Sequence, residues 1–218
     1  MHVEYFQIGS HEGNTINDSL FNKDIEKKTV FLIEPVPHLF ENLVNNYRIK
    51  ASNVNNETNV ICLNIAVSTK DGDIDFFIPS LRNDFTKFPY WADQISSINE
   101  SHLTTHYFAE KLLVDKLNVP CKRLNTIINE YNITSIDFLF IDTEGHDYDI
   151  LMDFDMSVVK PNHILFENRH MDGFNSKNQK YNYLLRYFQN IGYKIINENE
   201  NDTLLSLTPD IHTFTSLV

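Results

Sequence analysis

The chain reads as an α/β protein: a doubly wound, mostly parallel sheet of seven strands with an antiparallel edge strand. Three observations predict it. Short buried runs rich in β-branched and apolar residues alternate with stretches whose apolar positions recur at helical spacing. A turn bounded by Gly9 and Gly13 follows the first such run, as in open sheets that bind a ligand at their carboxyl edge. Two last strand-like runs flank the turn-rich residues 198–202 and supply the antiparallel edge. Together these specify a Rossmann-like architecture.

Residues 3–8 form the first strand, almost at Met1, and so abrupt a start is expected of a domain cut from a longer polypeptide. A helix is predicted after Gly13, ending near Ile25, and then a short buried strand at 29–34. Pro35 and Pro37 open the next helix, with Leu39, Phe40, Leu43, Val44 and Tyr47 at helical spacing. A third strand is predicted at 59–64; the turn at 70–73 then folds 65–68 into the alternating strand 74–78, a hairpin attached to that third strand.

Residues 79–118 lose clean periodicity and collect Phe85, Phe88, Tyr90, Trp91, Ser96, Ser97, His102, His106 and Tyr107. A polar, aromatic stretch of that length predicts a lid or acceptor-binding insertion, although the same aromatics also suit a satellite core. Residues 126–131 read as a short helix and 136–141 as a strand covered on both faces. Tyr148, Ile150, Leu151 and Phe154 mark a helix at 147–154, and 163–166 is a further buried strand. A helix carrying Tyr181, Leu184, Leu185 and Phe188 stops at Gly192, and strands 193–197 and 203–207 end the sheet.

A length of 218 residues with 42% apolar content suits one domain over residues 1–218 with one substantial core. The net charge of −12 disfavours nucleic acid and anionic membrane surfaces as partners. Cys62 and Cys121, outside any CxxC or Cys/His cluster, read as reduced thiols. With no long apolar run for membrane insertion and no signal-peptide pattern, a soluble cytoplasmic protein is expected; oligomeric state is left open.

Gly9 and Gly13 permit a tight turn and close approach of the backbone to a ligand. Glu34 ends the second strand about 20 residues later, where a carboxylate accepts both ribose hydroxyls. Because the spacing is not GxGxxG, an adenosyl ligand without phosphates fits better than a dinucleotide. After the strand at 136–141, Asp142, Glu144 and His146 lie over the same crevice, while Asp147 reads as the first-turn acid of the next helix.

In order, the Gly9 and Gly13 turn, a strand ending in Glu34 and Pro35, residues 64–68 ahead of Asp71 and Gly72, the Ser96–Ser97 pair, and Ile141-Asp142-Thr143-Glu144-Gly145 resemble the FkbM family of S-adenosylmethionine (SAM)-dependent methyltransferases, over roughly residues 3–170. The resemblance implies the class I SAM methyltransferase fold, SAM as methyl donor, and O-methylation of a sugar or natural-product hydroxyl. It implies that Gly9, Gly13 and Glu34 hold SAM and that Asn64, Ile65 and Ala66 flank the adenine, with Ser10, His11, Glu12, Pro35 and Asp142 completing the cofactor surface. Two positions depart from the family pattern: Gln7 stands where an Asp is usual, and His11 where an Asn is usual. Gln7 can hydrogen-bond but brings no charge to the ammonium group of SAM.

Methyl transfer from a sulfonium asks the protein mainly to align the acceptor oxygen and remove its proton. A sugar or glycan hydroxyl is the expected acceptor; Asp142, Glu144, His146 and Glu167 are the candidate catalytic residues, and Ser96, Ser97, Arg169 and His170 the candidate substrate contacts. His146 reads equally as a base or as a loop histidine packed on the following helix. Asp142, Glu167 and Asn168 resemble the oxygen ligands of a divalent ion such as Mg2+ or Mn2+; in the alternative, Asp142 contacts the cofactor and no metal binds. Two rival functions remain, a dinucleotide-binding oxidoreductase and a catalytically silent SAM-binding module. The density of ionisable groups argues for an enzyme.

Overall fold

The structure, a computed structural model, describes residues 1–15, 18, 20–54 and 57–208. In chain order its elements are β1 (His2–Ile8), β2 (Thr29–Ile33), α1 (Pro37–Ser52), β3 (Asn59–Leu63), β4 (Ala66–Val67), β5 (Gly72–Pro79), α2 (Glu100–Thr104), β6 (Val114–Lys122), α3 (Leu124–Glu130), β7 (Ser135–Ile141), α4 (Asp147–Asp153), β8 (His163–Glu167), α5 (Gln179–Asn190), β9 (Lys194–Glu198) and β10 (Asp202–Ser206). Seven of the strands form one sheet in the order β3-β2-β1-β7-β8-β10-β9, parallel from β3 to β8. β10 runs antiparallel to both β8 and β9. The predicted fold class is therefore the observed one.

Both faces of this sheet are covered, which is why its strands read as continuous apolar runs. Alternation along β7 sends Leu139 and Ile141 to the face packed by α3, α4 and α5, and Phe138 and Phe140 to the face packed by α1. Phe6 and Phe31 stack across β1 and β2 with ring centroids 5.2 Å apart, both wholly buried, each contributing about 1.5–3 kcal/mol. No helix among the described residues is long and apolar enough to cross a membrane, and both cysteines are free.

Three expectations are corrected. Among the described residues, 14–28 hold turns rather than a helix; Ile16, Asn17 and Ser19 of that prediction lie outside the described residues. The Asp18 carboxylate takes the Leu20 and Phe21 N–H groups at 2.7 and 2.6 Å, a local turn that competes with helix, while Leu20 and Ile25 still reach the core. The predicted hairpin is not one either: β4 and β5 both pair with β6, in a separate three-stranded sheet ordered β4-β6-β5. Asp115, Lys116 and Pro120 interrupt the alternation of β6, so its first half reads as part of the irregular stretch 79–118. The rest of that stretch, 80–113, packs its own cluster of Ala92, Ile95, Leu103, Phe108 and Leu112 against Phe77, Phe85, Phe88 and Trp91. Most of its aromatics thus form a satellite core.

The chain winds outward from β1 through β2 to β3, then returns to lay β7 beside β1 on the other side. The crevice outside the carboxyl ends of β1 and β7 is where such sheets bind ligands. The parallel register aligns Ile8 with Ile33 and Ile141, and Ile141 with Phe166. Gly9, Glu34, Asp142 and Glu167, each just beyond or at a strand end, therefore stand along one edge.

Candidate functional site

A cavity of about 720 Å³ opens along that edge. Gly9, Glu34 and Asp142, the three places the sequence singled out, all line it. Gly9 has φ of +81°, and a Cβ there would lie 1.8 Å from the Asp142 carbonyl oxygen, so only glycine lets the turn pass beside the end of β7. Ser10 fastens the turn to β2: its N–H donates to the Ile33 carbonyl at 3.0 Å, and its Oγ accepts the Ile33 N–H at 3.2 Å. His11, at φ of +47°, lines the cavity too. Burial lowers its pKa against the pull of Asp93 and Glu12, and neither ring nitrogen makes a well-formed hydrogen bond.

Two residues of the same turn look elsewhere. A Cβ on Gly13 would meet Leu43 Cδ1 at 2.4 Å and Tyr47 Cε2 at 2.7 Å, so this glycine seats the turn on α1. The Glu12 carboxylate accepts Asn42 Nδ2 at 2.7 Å, also on α1. Neither faces the cavity.

Glu34 is 4% exposed, and its two carboxylate oxygens accept the His11 N–H at 2.9 Å and the Val36 N–H at 2.8 Å. Burial pushes its pKa up to about 7, and those two donors pull against it. Pro35, Ile65 and Ala66 continue the same wall. Asn64 does not: its Nδ2 donates to the carbonyls of Glu34 and Pro35 at 2.8 and 3.1 Å, which makes it a brace for that corner.

At the other end of the row the carboxylates crowd together. Asp142 is exposed into the cavity, and its recessed place at the end of β7, then the charges of Glu144, Asp147 and Asp202, push its pKa up. Glu167 is raised for the same reasons, burial first and then Glu144 and Asp142. Asp147, buried and raised to about 7, opens α4 as expected. Its carboxylate accepts Thr143 Oγ1 at 2.6 Å, the Thr143 N–H at 3.2 Å and the Glu167 N–H at 3.3 Å, and so locks the β7–α4 turn to the end of β8.

Glu144 lines the cavity at φ of +53°, a strained setting for a residue with a side chain, and Ser97 Oγ holds its carbonyl at 2.9 Å. Ser97 is wholly buried and off the cavity, so it positions this turn; Ser96 does line the cavity. Both nitrogens of His146 are engaged, Nε2 with Ser68 Oγ at 3.0 Å and Nδ1 with Asp149 Oδ2 at 3.2 Å. Burial lowers its pKa as well. His146 also lines the cavity, so these two contacts fix its ring at the cavity wall.

Arg169 and His170 line the cavity as expected. Burial, then His102 and Arg169, lower the His170 pKa to about 3. Asn168 is different: wholly buried and off the cavity, it donates through Nδ2 to Thr203 Oγ1 at 2.9 Å and to the Asn199 carbonyl at 3.2 Å. It ties β8 to β10, and the expected oxygen-ligand set of Asp142, Glu167 and Asn168 does not converge on the cavity.

Sequence reasoning missed Asp18. It lines the cavity beside Gln7, whose Nε2 donates to Asp18 Oδ2 at 3.3 Å, and Gln7 Oε1 is buried with no partner. Burial raises the Asp18 pKa. No motif marks it, since it sits in the stretch that reads as helix. Tyr90 and Tyr107, 68% and 83% exposed, also line the cavity.

The chain is similar to the solved structure of methyltransferase FkbM from Methylobacillus flagellatus KT, with a TM-score of 0.48, 13% identity, and coverage of 94% of this chain and 44% of that one. It is also similar to an O-methyltransferase from Bacillus cereus solved in complex with SAH, with a TM-score of 0.40, 11% identity, and coverage of 93% and 72%. The chain thus spans under half the length of the first of these. No curated protein matches it. The family model of the methyltransferase FkbM domain matches residues 7–195, a span that takes in the Gly9 turn, Glu34 and the loops from Asp142 to His170. With that match over most of its length, the chain belongs to the FkbM methyltransferase family.

Proposed function

We propose that this domain binds SAM and transfers its methyl group to a hydroxyl oxygen of a sugar or glycan. The observation that carries the reading is the convergence of the Gly9 turn, Glu34 and Asp142 on one cavity. The residues fit the donor. Gly9 leaves open the space a Cβ would take, Glu34 offers a buried carboxylate for the ribose hydroxyls, and Ile65 and Ala66 give an apolar wall for adenine. Asp18, held by Gln7 at the cavity wall, returns the negative charge that Gln7 itself lacks and would pair with the donor's ammonium group.

When bound, SAM supplies an already activated methyl group, so the chain's own task is alignment and proton removal. Asp142 is the base: the acceptor hydroxyl's proton passes to one of its carboxylate oxygens as the new bond forms. Its neighbours Glu144, Asp147 and Asp202 raise its affinity for that proton. Tyr90 and Tyr107 offer exposed ring faces to the apolar C–H face of a sugar, with Ser96 and Arg169 as polar contacts. A neutral glycan suits a chain of net charge −12 better than a polyanion does, and the cytoplasm, where SAM is made, is its expected place of work.

Calorimetry with SAM, followed by incubation of the protein with radiolabelled SAM and extracted glycans, lipids and proteins, tests this. Label in the glycan fraction, lost on Asp142→Asn substitution, is the expected result. Stabilisation by NAD but not SAM would point to an oxidoreductase, and tight S-adenosylhomocysteine binding without turnover to a silent module.

A further inference from the structure

At the edge of the carboxylate row, Glu144 also belongs to a second constellation, whose histidines the methyl-transfer reading leaves without a role. His102 from α2, Glu144 from the β7–α4 turn and His170 after β8 each bring one ligand atom to within 4.8 Å of the others. His102 Nε2 stands 2.8 Å from Glu144 Oε2, its side chain 4% exposed, yet forms no well-shaped hydrogen bond. The rings of His102 and His170 meet edge to face at 4.6 Å. Glu167 completes the group, with Oε1 3.4 Å from His170 Nε2 and Oε2 buried without a hydrogen-bond partner. Buried polar atoms left without partners are rare, and Glu167 Oε2 is one of them beside this small volume.

We propose that His102, Glu144 and His170 bind a divalent first-row transition ion, with Glu167 as a fourth ligand or its orienting partner. The donors set the class of ion. Two imidazoles with carboxylate oxygens suit Zn2+, Fe2+, Co2+ or Mn2+, whereas Mg2+ and Ca2+ take oxygen ligands. Such ions hold nitrogen and oxygen ligands at about 2.0–2.2 Å, so atoms within 4.8 Å of one another close around one ion with modest side-chain movement.

Ligation has a structural consequence at His170. Its Nδ1 now accepts the Asn175 N–H at 3.1 Å, which leaves the ring proton on Nε2, facing Glu167. Binding an ion through Nε2 displaces that proton and puts one on Nδ1, so the Asn175 N–H loses its acceptor. Ion uptake therefore remodels the turn at 170–175. Since Glu144 and His170 line the cavity, the ion borders the acceptor pocket, and on the methyl-transfer reading it would acidify a hydroxyl bound there.

The test needs neither SAM nor acceptor, so its failure leaves methyl transfer untouched, and the failure of methyl transfer leaves it untouched. The full chain, stripped with a chelator, is titrated with Zn2+ and with Co2+, followed by calorimetry and by the Co2+ visible spectrum. One ion per chain, a strong low-symmetry Co2+ absorption and altered amide exchange at 170–176 are expected. Affinity should fall more than about 100-fold in His102→Ala and in the near-isosteric Glu144→Gln, beyond what loss of an outer-shell partner costs. Circular dichroism checks that both fold, and His2→Ala, at the exposed first position of β1, should bind as the parent does. No uptake at micromolar ion, or uptake indifferent to His102→Ala and Glu144→Gln, would overturn the proposal.

Discussion

Replacing Glu34 by Gln separates two things this carboxylate does, and pH is the variable that separates them. In the folded chain its pKa is raised from 4.5 to about 7, chiefly by burial. A carboxyl whose folded pKa lies above its unfolded one holds its proton more tightly in the fold. Its ionisation therefore costs nothing below pH 4.5, costs progressively more between 4.5 and 7, and reaches its full cost above 7. At 1.36 kcal/mol per pKa unit the cost comes to about 3 kcal/mol. Gln carries no such titration. It does turn an amide N–H toward the N–H of His11 or Val36, a penalty of about 1–3 kcal/mol, but that penalty is the same at every pH and cancels from a comparison of slopes. Urea unfolding at pH 5 and pH 8 is the assay. Part of that cost is already present at pH 5, so the parent should lose about 2.5 kcal/mol more than Glu34→Gln between the two. SAM affinity should move the other way, because ribose hydroxyls donate to the ionised form: in the parent it strengthens from pH 6 to 8, and in the variant it is weak and flat. Parallel stability curves for the two proteins would refute the account of Glu34 as a buried carboxylate under strain.

The two glycines of the first turn should part company. Gly9→Ala places a Cβ against the Asp142 carbonyl at φ of +81° and should cost about 2–4 kcal/mol in urea unfolding together with most of the SAM affinity; Gly13→Ala presses on Leu43 and Tyr47 side chains, and should cost stability while calorimetry still finds SAM binding. Asp18→Asn removes the charge and keeps the Gln7 contact once the Gln7 amide turns its unpartnered Oε1 to accept the new N–H, so SAM affinity should drop at least about tenfold with the urea midpoint little changed.

What could be read in advance follows from how far each signal travels along the chain. β1, β2 and β7 announce themselves because both their faces are covered and turn residues bracket them. A parallel sheet then puts every strand's carboxyl end on one edge, so Gly9, Glu34 and Asp142 could be gathered from sequence before any coordinates. Side-chain direction is not encoded that locally. Asn64, Ser97 and Asn168 lie next to cavity residues in sequence yet turn inward, each bound by a partner at least 30 residues away. β6 was hidden because its neighbours β4 and β5 precede it by dozens of residues and Pro120 broke its pattern. Nothing in the spacing of nine histidines tells which two will meet across α2 and β8.

The inward-turning residues matter for a physical reason. Asp142, Asp147 and Glu167 cannot all carry charge at one strand edge without repulsion, and the burial of Asp147 and most of Glu167 removes water that would screen it. A turn carrying such groups tends to splay apart. Here four fixed bonds oppose that: Asp147 to Thr143 and to the Glu167 N–H across the turn, Ser97 to the Glu144 carbonyl, and Asn168 to Thr203 behind Glu167. The frame supplies the rigidity, so the acidic groups at the cavity are free to remain strained. A cationic ligand entering beside Asp142 then relieves repulsion already present in the empty fold, and that relief adds to its affinity without any change in backbone shape.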